Sequence, residues 1–136
     1  MPTLRINIDV DDLDDAVAFY TRAFGFTVGR RDLEWAELLG APSPVDLLAK
    51  PPGTLALPRG TRALRDYERH WTPVHLDVVV DDVDAAVSRA IAAGAKLERD
   101  VATQPWGRIA ILADPFGHGF CLIEFRGRGY DEEVAR

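Results

Sequence analysis

Hydrophobic and polar residues alternate along two short stretches of the chain, 4–10 and 74–80. A period of two predicts a β-strand with one apolar face and one mixed face. In each stretch, aspartates follow the strand, and apolar residues at helical spacing follow the aspartates. Each stretch therefore predicts a strand that runs directly into an amphipathic helix, with Asp12 and Asp82 as the N-caps.

The two stretches are copies of one pattern. Residues 10–17 and 80–87 are identical at six of eight positions, at an offset of 70 residues. The same offset places Arg5 opposite His75 and Asn7 opposite Asp77. Such internal similarity predicts a duplicated structural unit, and it makes the paired positions candidates for equivalent roles.

The remaining pattern completes the two copies. After the first helix, which Gly25 is expected to end, the sequence predicts three strands at 26–29, 33–39 and 45–49. After the second helix, ended by Gly94, it predicts strands at 95–99, 108–113 and 119–125, with a loop at 101–107. The fold class is α+β, with two tandem βαβββ modules at 4–49 and 74–125. A connector at 50–73 contains a short surface helix at 61–70, and the polar tail from Arg126 is expected to fray.

Composition narrows the function. The 136 residues, 47% of them hydrophobic, suit one globular domain. The net charge of −6 argues against a nucleic-acid surface. The single cysteine, Cys121, excludes an internal disulfide and fits a reducing compartment. No apolar signal region or membrane-spanning run is present, so we expect a cytoplasmic protein without membrane contact.

Four stretches together carry a family resemblance: 12–20, 24–26, 75–81 and 114–117. They resemble the vicinal oxygen chelate superfamily, which includes glyoxalase I, extradiol dioxygenases, fosfomycin-resistance enzymes and bleomycin-resistance proteins. The resemblance implies a single domain over 1–136, with a cup-shaped mixed sheet and helices on the outside. It does not imply one reaction, because this fold hosts many.

The resemblance also implies where a metal would bind. Metal-using members take one ligand from the first and one from the last strand of each half, usually His or Gln, Glu, His and Glu. These positions fall here on Arg5, Asp46, His75 and Cys121, of which only His75 matches by type. A guanidinium stays protonated and has no lone pair to offer a metal. We therefore expect no catalytic metal and no other cofactor.

Each of these residues has a structural alternative. His75 is either a base or a hydrogen-bonded side chain without a chemical role. Arg5 is either an anion clamp or the ion-pair partner of Asp46 or Asp9. Cys121 is either a thiolate or a small buried apolar residue.

Two classes of function stay open. The first is a module that binds a small, flat molecule by stacking on Trp35, Tyr67 and Trp106, with Asp46, Arg108 and Cys121 completing the ligand-binding set. The second is a lyase, isomerase or dioxygenase that uses a divalent metal, or His75 as base and Arg5 as anion clamp. The sequence favours the binding module, in a homodimer typical of family members of this size.

Overall fold

The computed structural model describes residues 1–59 and 62–134. The chain divides into two compact units, Met1–Glu68 (unit 1) and Arg69–Arg136 (unit 2). Unit 1 contains β1 (Ile6–Val10), α1 (Leu13–Phe24), β2 (Thr27–Arg31), β3 (Trp35–Leu39) and β4 (Val45–Ala49). Unit 2 contains β5 (Leu76–Val79), α2 (Val83–Ala93), β6 (Lys96–Gln104), β7 (Gly107–Ala113), β8 (Gly119–Phe125) and α3 (Asp131–Val134).

Both units have the same sheet topology, which confirms the predicted α+β class and the tandem βαβββ order. The strand order is β1-β4-β3-β2 in unit 1 and β5-β8-β7-β6 in unit 2. In each sheet the first strand pairs in parallel with the last strand, and the other neighbours pair antiparallel. The duplication seen in the sequence is therefore a duplication of topology.

The helix caps are those that the sequence predicts. The Asp12 carboxylate accepts a hydrogen bond from the Asp15 N–H at 2.9 Å, and Asp82 accepts one from the Ala85 N–H at 3.1 Å. Each satisfies an N–H that has no partner within its own helix. Gly25, in the left-handed conformation at φ 72°, ends α1.

Each helix covers one face of its own sheet. In unit 2, the Glu124 side chain of β8 accepts a hydrogen bond from the Val83 N–H at the start of α2, so the even-numbered residues of β8 face the helix. Leu112 and Leu122, both fully buried, belong to this core. Cys121 consequently lies on the opposite face of the sheet, and Asp46 occupies the corresponding face in unit 1, between the buried Val45 and Leu47.

Three predictions about connecting segments are wrong. The predicted loop at 101–107 is mostly strand, because β6 continues to Gln104 and pairs with β7 up to Gly107. Residues 62–70 contain no helix, and Leu64 instead bridges Leu55, while Thr61 lies outside the described residues. The tail forms α3, with Tyr130 packed against Phe125 of β8 and against Trp106, which lies between β6 and β7.

Candidate functional site

A charged cluster occupies the helix-free face of unit 1. Arg5, just before β1, donates from Nε to Asp46 Oδ2 at 2.9 Å and from Nη2 to Asp46 Oδ1 at 2.8 Å. The same Nη2 donates to Glu37 Oε2 at 2.7 Å. Glu37 and Asp46 meet Arg5 together because they are directly opposite each other on β3 and β4.

Two more side chains complete this Arg5 cluster. Arg30 of β2 donates from Nη2 to Glu37 Oε2 at 2.7 Å and from Nε to Oε1 at 3.1 Å. Trp35 donates its indole N–H to Asp46 Oδ1 at 2.9 Å, and the Arg30 guanidinium lies 5.7 Å from its ring centroid. Two arginines thus meet two carboxylates, and the formal charge of the cluster is zero.

The electrostatics of the cluster keep both carboxylates ionised. The pKa of Glu37 falls to about 2, chiefly because Arg30 and then Arg5 donate hydrogen bonds to it. The pKa of Asp46 is also lowered, first by Arg5 and further by the indole N–H of Trp35, although burial opposes the shift. The sequence left open whether Arg5 pairs with Asp46 or Asp9. The structure pairs it with Asp46, and Asp9 accepts from Arg65 at 2.9 Å.

The family metal set does not fit unit 1. The side chain at the first ligand position is a guanidinium, which offers no lone pair. The second, Asp46, already accepts three hydrogen bonds, two from Arg5 and one from Trp35. A cation here would have to displace Arg5 from a carboxylate that is 3% exposed.

The equivalent positions in unit 2 have different chemistry. Asp77 pairs with Cys121 across β5 and β8, just as Asn7 pairs with Asp46 in unit 1. His75 Nε2 lies 3.1 Å from Asp77 Oδ1. The pKa of Cys121 rises to about 11, because burial, and after it the Asp77 charge and hydrogen bond, disfavour the thiolate. At neutral pH this thiol is therefore a protonated group beside a carboxylate.

A cavity of ≈190 Å³ opens beside His75 and Cys121. Its walls are mainly apolar and aromatic, and include Trp71, Thr72, Ile111 and Phe120. Trp71 is 83% exposed, so its indole is available to a ligand. A concave apolar site with few polar groups is the usual form of a small-molecule site.

Arg69, a charged residue of the cavity wall, is paired with Glu98. It donates to the Glu98 carboxylate from Nε at 2.7 Å and from Nη2 at 2.9 Å. Two histidines outside the cavity lining also contact each other in unit 2. His118 Nδ1 lies 3.2 Å from His70 Nε2, and the two rings meet edge to face.

Three residues of the predicted ligand-binding set lie elsewhere. Arg108 is on the helix-covered face of its sheet, where it donates to Asp84 of α2 at 2.7 and 3.1 Å. Trp106 packs against Phe125 and Tyr130, at centroid distances of 6.0 and 5.2 Å. Neither the Arg108 nor the Trp106 side chain lines the unit 2 cavity.

Tyr67, the third residue, belongs to unit 1. Its hydroxyl donates to the Lys50 carbonyl at 2.7 Å, and burial raises its pKa. Trp35 and Asp46 both lie in the Arg5 cluster, where they are hydrogen-bond partners of each other. Their roles toward a ligand stay predictions.

Four further residues of these two sites were not among the candidates from the sequence. Glu37 and Arg30 belong to no recognisable motif. The period of two in β3 only indicates that Glu37 and Trp35 share one face of the strand. Asp77 was noted only as the counterpart of Asn7. No sequence motif indicates Trp71, and its exposure is visible only in the structure.

Tandem βαβββ units, with candidate side chains on the helix-free faces of both sheets, define the class of the vicinal oxygen chelate proteins. Residues 5–123 match the family model described as a glyoxalase-like domain, so the chain belongs to that family of the vicinal oxygen chelate superfamily. None of the helices in the described part of the chain is long and apolar enough to cross a membrane.

Individual relatives support this placement. The chain is similar to the uncharacterized protein Mb0911c of Mycobacterium bovis, with 32% identity over 124 residues, which is 89% of this chain and 82% of that protein. Its fold is similar to that of the fosfomycin resistance protein FosX from Listeria monocytogenes, with a TM-score of 0.71, 20% identity, and coverage of 99% and 97% of the two chains. It is also similar to TnmS3, an antibiotic binding protein from Streptomyces sp. CB03234, with a TM-score of 0.63, 24% identity, and coverage of 93% and 97%.

Proposed function

We propose that this protein binds a flat aromatic small molecule in the unit 2 cavity, without a catalytic metal. The observation that carries the proposal is the cavity itself, in which Trp71 offers an exposed indole beside the apolar Ile111 and the polar His75. Aromatic rings stack well on such surfaces. The volume of ≈190 Å³ is below that of sites for whole drug-sized molecules, so the site takes a compact ring system.

The Arg5 cluster supports the metal-free part of the proposal. Arg5 occupies a family ligand position and brings a permanent positive charge there. The cluster is also a poor anion clamp, because Glu37 and Asp46 cancel the charges of Arg5 and Arg30. This weighs against the alternative in which Arg5 holds an anionic substrate.

The relatives give independent support. Two proteins of similar fold are TnmS3, an antibiotic binding protein, and FosX, a fosfomycin resistance protein. TnmS3 is therefore a precedent for binding of a small molecule by this fold, and we extend it to this chain as part of the proposal. The proposal includes the assumption that the two units act as one vicinal oxygen chelate domain.

We predict that replacing Trp71 by alanine weakens binding of a neutral three-ring probe, acridine, by about tenfold, because the probe loses one stacking surface. Fluorescence titration in the presence of EDTA measures both dissociation constants. Trp106→Ala is the matched control, since Trp106 packs against Phe125 and Tyr130 and does not line the cavity. Equal losses in both variants, or no binding by the unaltered protein, would contradict the proposal.

One observation favours a second candidate, a metal-dependent lyase, isomerase or dioxygenase of the same superfamily. The ligand atoms of His75, Asp77 and Cys121 all lie within 4.8 Å of one another. Imidazole, carboxylate and thiolate are ligands that zinc accepts. A metal held by these residues would displace the proton that the Cys121 thiol carries at neutral pH. The metal content of the purified protein distinguishes the two candidates.

We further propose that the protein is a cytoplasmic two-fold homodimer, with the connector in the interface. Leu55, Leu57 and Leu64 of the connector are each at least half exposed, and Leu55 and Leu64 form a bridge that presents them together. Burying such side chains is favourable. Light scattering at micromolar concentration should give twice the 15.0 kDa chain mass, and a monomer throughout this range would contradict the proposal.

A further inference from the structure

Of the two charged side chains that the structure describes at the unit 2 cavity, Arg69 has a partner of opposite permanent charge and Asp77 does not. Arg69, the cation that lines the cavity, is held by both oxygens of Glu98. Asp77 has no such partner: among the described residues, its contacts are with His75 and with the thiol of Cys121. Neither of these groups carries a permanent positive charge, so Asp77 leaves a net negative charge beside the cavity.

The position of Asp77 makes this charge available to a ligand. Its side chain is 41% exposed, and that of His75 is 52% exposed. Both residues with which Asp77 makes contact, His75 and Cys121, line the cavity. The Asp77 carboxylate therefore stands at the polar edge of a site whose other walls are aromatic and apolar.

From this arrangement we infer that Asp77 is an ionic anchor, and that the ligand is an aromatic molecule carrying a protonated nitrogen. The inference rests on the proposed function and names its ligand class. The carboxylate attracts the protonated nitrogen, and the indole face of Trp71 adds a cation–π attraction. An anionic ligand would meet the Asp77 charge, and Arg69, the arginine among the described lining residues, is already held by Glu98.

Two probes with the same three rings test the anchor, the 9-aminoacridinium cation and neutral acridine. The unaltered protein should bind the cation about fivefold more tightly than acridine, the preference expected for a partly exposed ion pair. Asp77→Asn should remove this preference, so that the cation and acridine bind this variant equally, and Asp77→Glu should keep it. Asp77→Ser provides a second neutral variant if the asparagine variant folds poorly.

Asp81→Asn is the matched control, because it changes the net charge equally at an exposed position that does not line the cavity. It should retain the preference for the cation. Equal binding of both probes, or an equal loss of preference in the Asp77 and Asp81 variants, would overturn the ionic anchor and leave the proposed function standing. Failure of both probes to bind the unaltered protein would overturn the proposed function as well.

Discussion

Replacing Arg5 by leucine is expected to lower the melting temperature at pH 7 by roughly 5–10 °C. The substitution removes the partner of two carboxylates that are almost fully buried, since Glu37 is 5% and Asp46 3% exposed. Arg30 still holds Glu37, but Asp46 keeps only the indole N–H of Trp35. A buried charge that loses its partner destabilises far more than a surface ion pair stabilises.

The effect should depend on pH in a defined direction. In the unaltered protein the pKa of Glu37 is about 2, below its ordinary value of 4.5, and that of Asp46 is lowered too. The stability that these groups contribute is complete above the unfolded-state values and is lost as the pH falls toward 2. In the Arg5→Leu variant the carboxylates protonate more easily. The difference in melting temperature between the unaltered protein and this variant should therefore become smaller as the pH is lowered from 7 to 4.

The control for this prediction is Arg31→Leu. Arg31 pairs with Asp14, whose side chain is 86% exposed, so the melting temperature should barely change. Thermal unfolding followed by circular dichroism at pH 7, 5.5 and 4 measures all three proteins. An equal loss in both variants, or a difference that does not vary with pH, would contradict this account of the cluster.

Replacing Gly107 by alanine should destabilise the protein by about 3–5 kcal/mol. Gly107 begins β7 at φ 153°, and a Cβ atom there would lie 2.0 Å from the Glu124 carbonyl oxygen on β8. The obstacle is backbone in the centre of the sheet, which cannot move aside without breaking the strand pairing. Urea unfolding measures the loss.

Gly53→Ala provides the comparison for this prediction. Gly53 has φ 79°, also in the left-handed region, but nothing lies within 4 Å of an added Cβ. Only the conformational cost of about 1–2 kcal/mol should therefore appear. Similar losses at the two positions would show that the close approach to Glu124 does not matter.

Local signals were sufficient to predict most of the fold. Neighbouring residues determine the aspartate N-caps, the glycines that end the helices and the strands of period two. The local sequence pattern therefore predicts these features, including the caps at Asp12 and Asp82. The predicted bounds of β4 and β8 are those of the structure. The predicted loop at 101–107 failed because pairing with β7 extends β6, and such pairing overrides weak local preference.

The candidate site was less predictable because its contacts are distant in sequence. Arg5 meets Asp46 across 41 residues, and the signal for this contact was the family resemblance, which placed both residues at ligand positions but left Asp9 as an alternative partner. The repeat gives no signal for Glu37. Glu37 pairs with Asp46 in unit 1, whereas the residue that pairs with Cys121 in unit 2 is the apolar Ile111. Trp71 lies outside any predicted element, so only the structure brings it to the cavity.

The metal content of the purified protein tests the central claim most directly. Elemental analysis after purification without added metal or chelator should find zinc, nickel, manganese and iron far below one molar equivalent, because Arg5 occupies a family ligand position and holds Asp46. One molar equivalent of any of these metals, lost when His75 is replaced by alanine, would contradict the metal-free account and assign the protein to the metal-dependent enzymes of its superfamily.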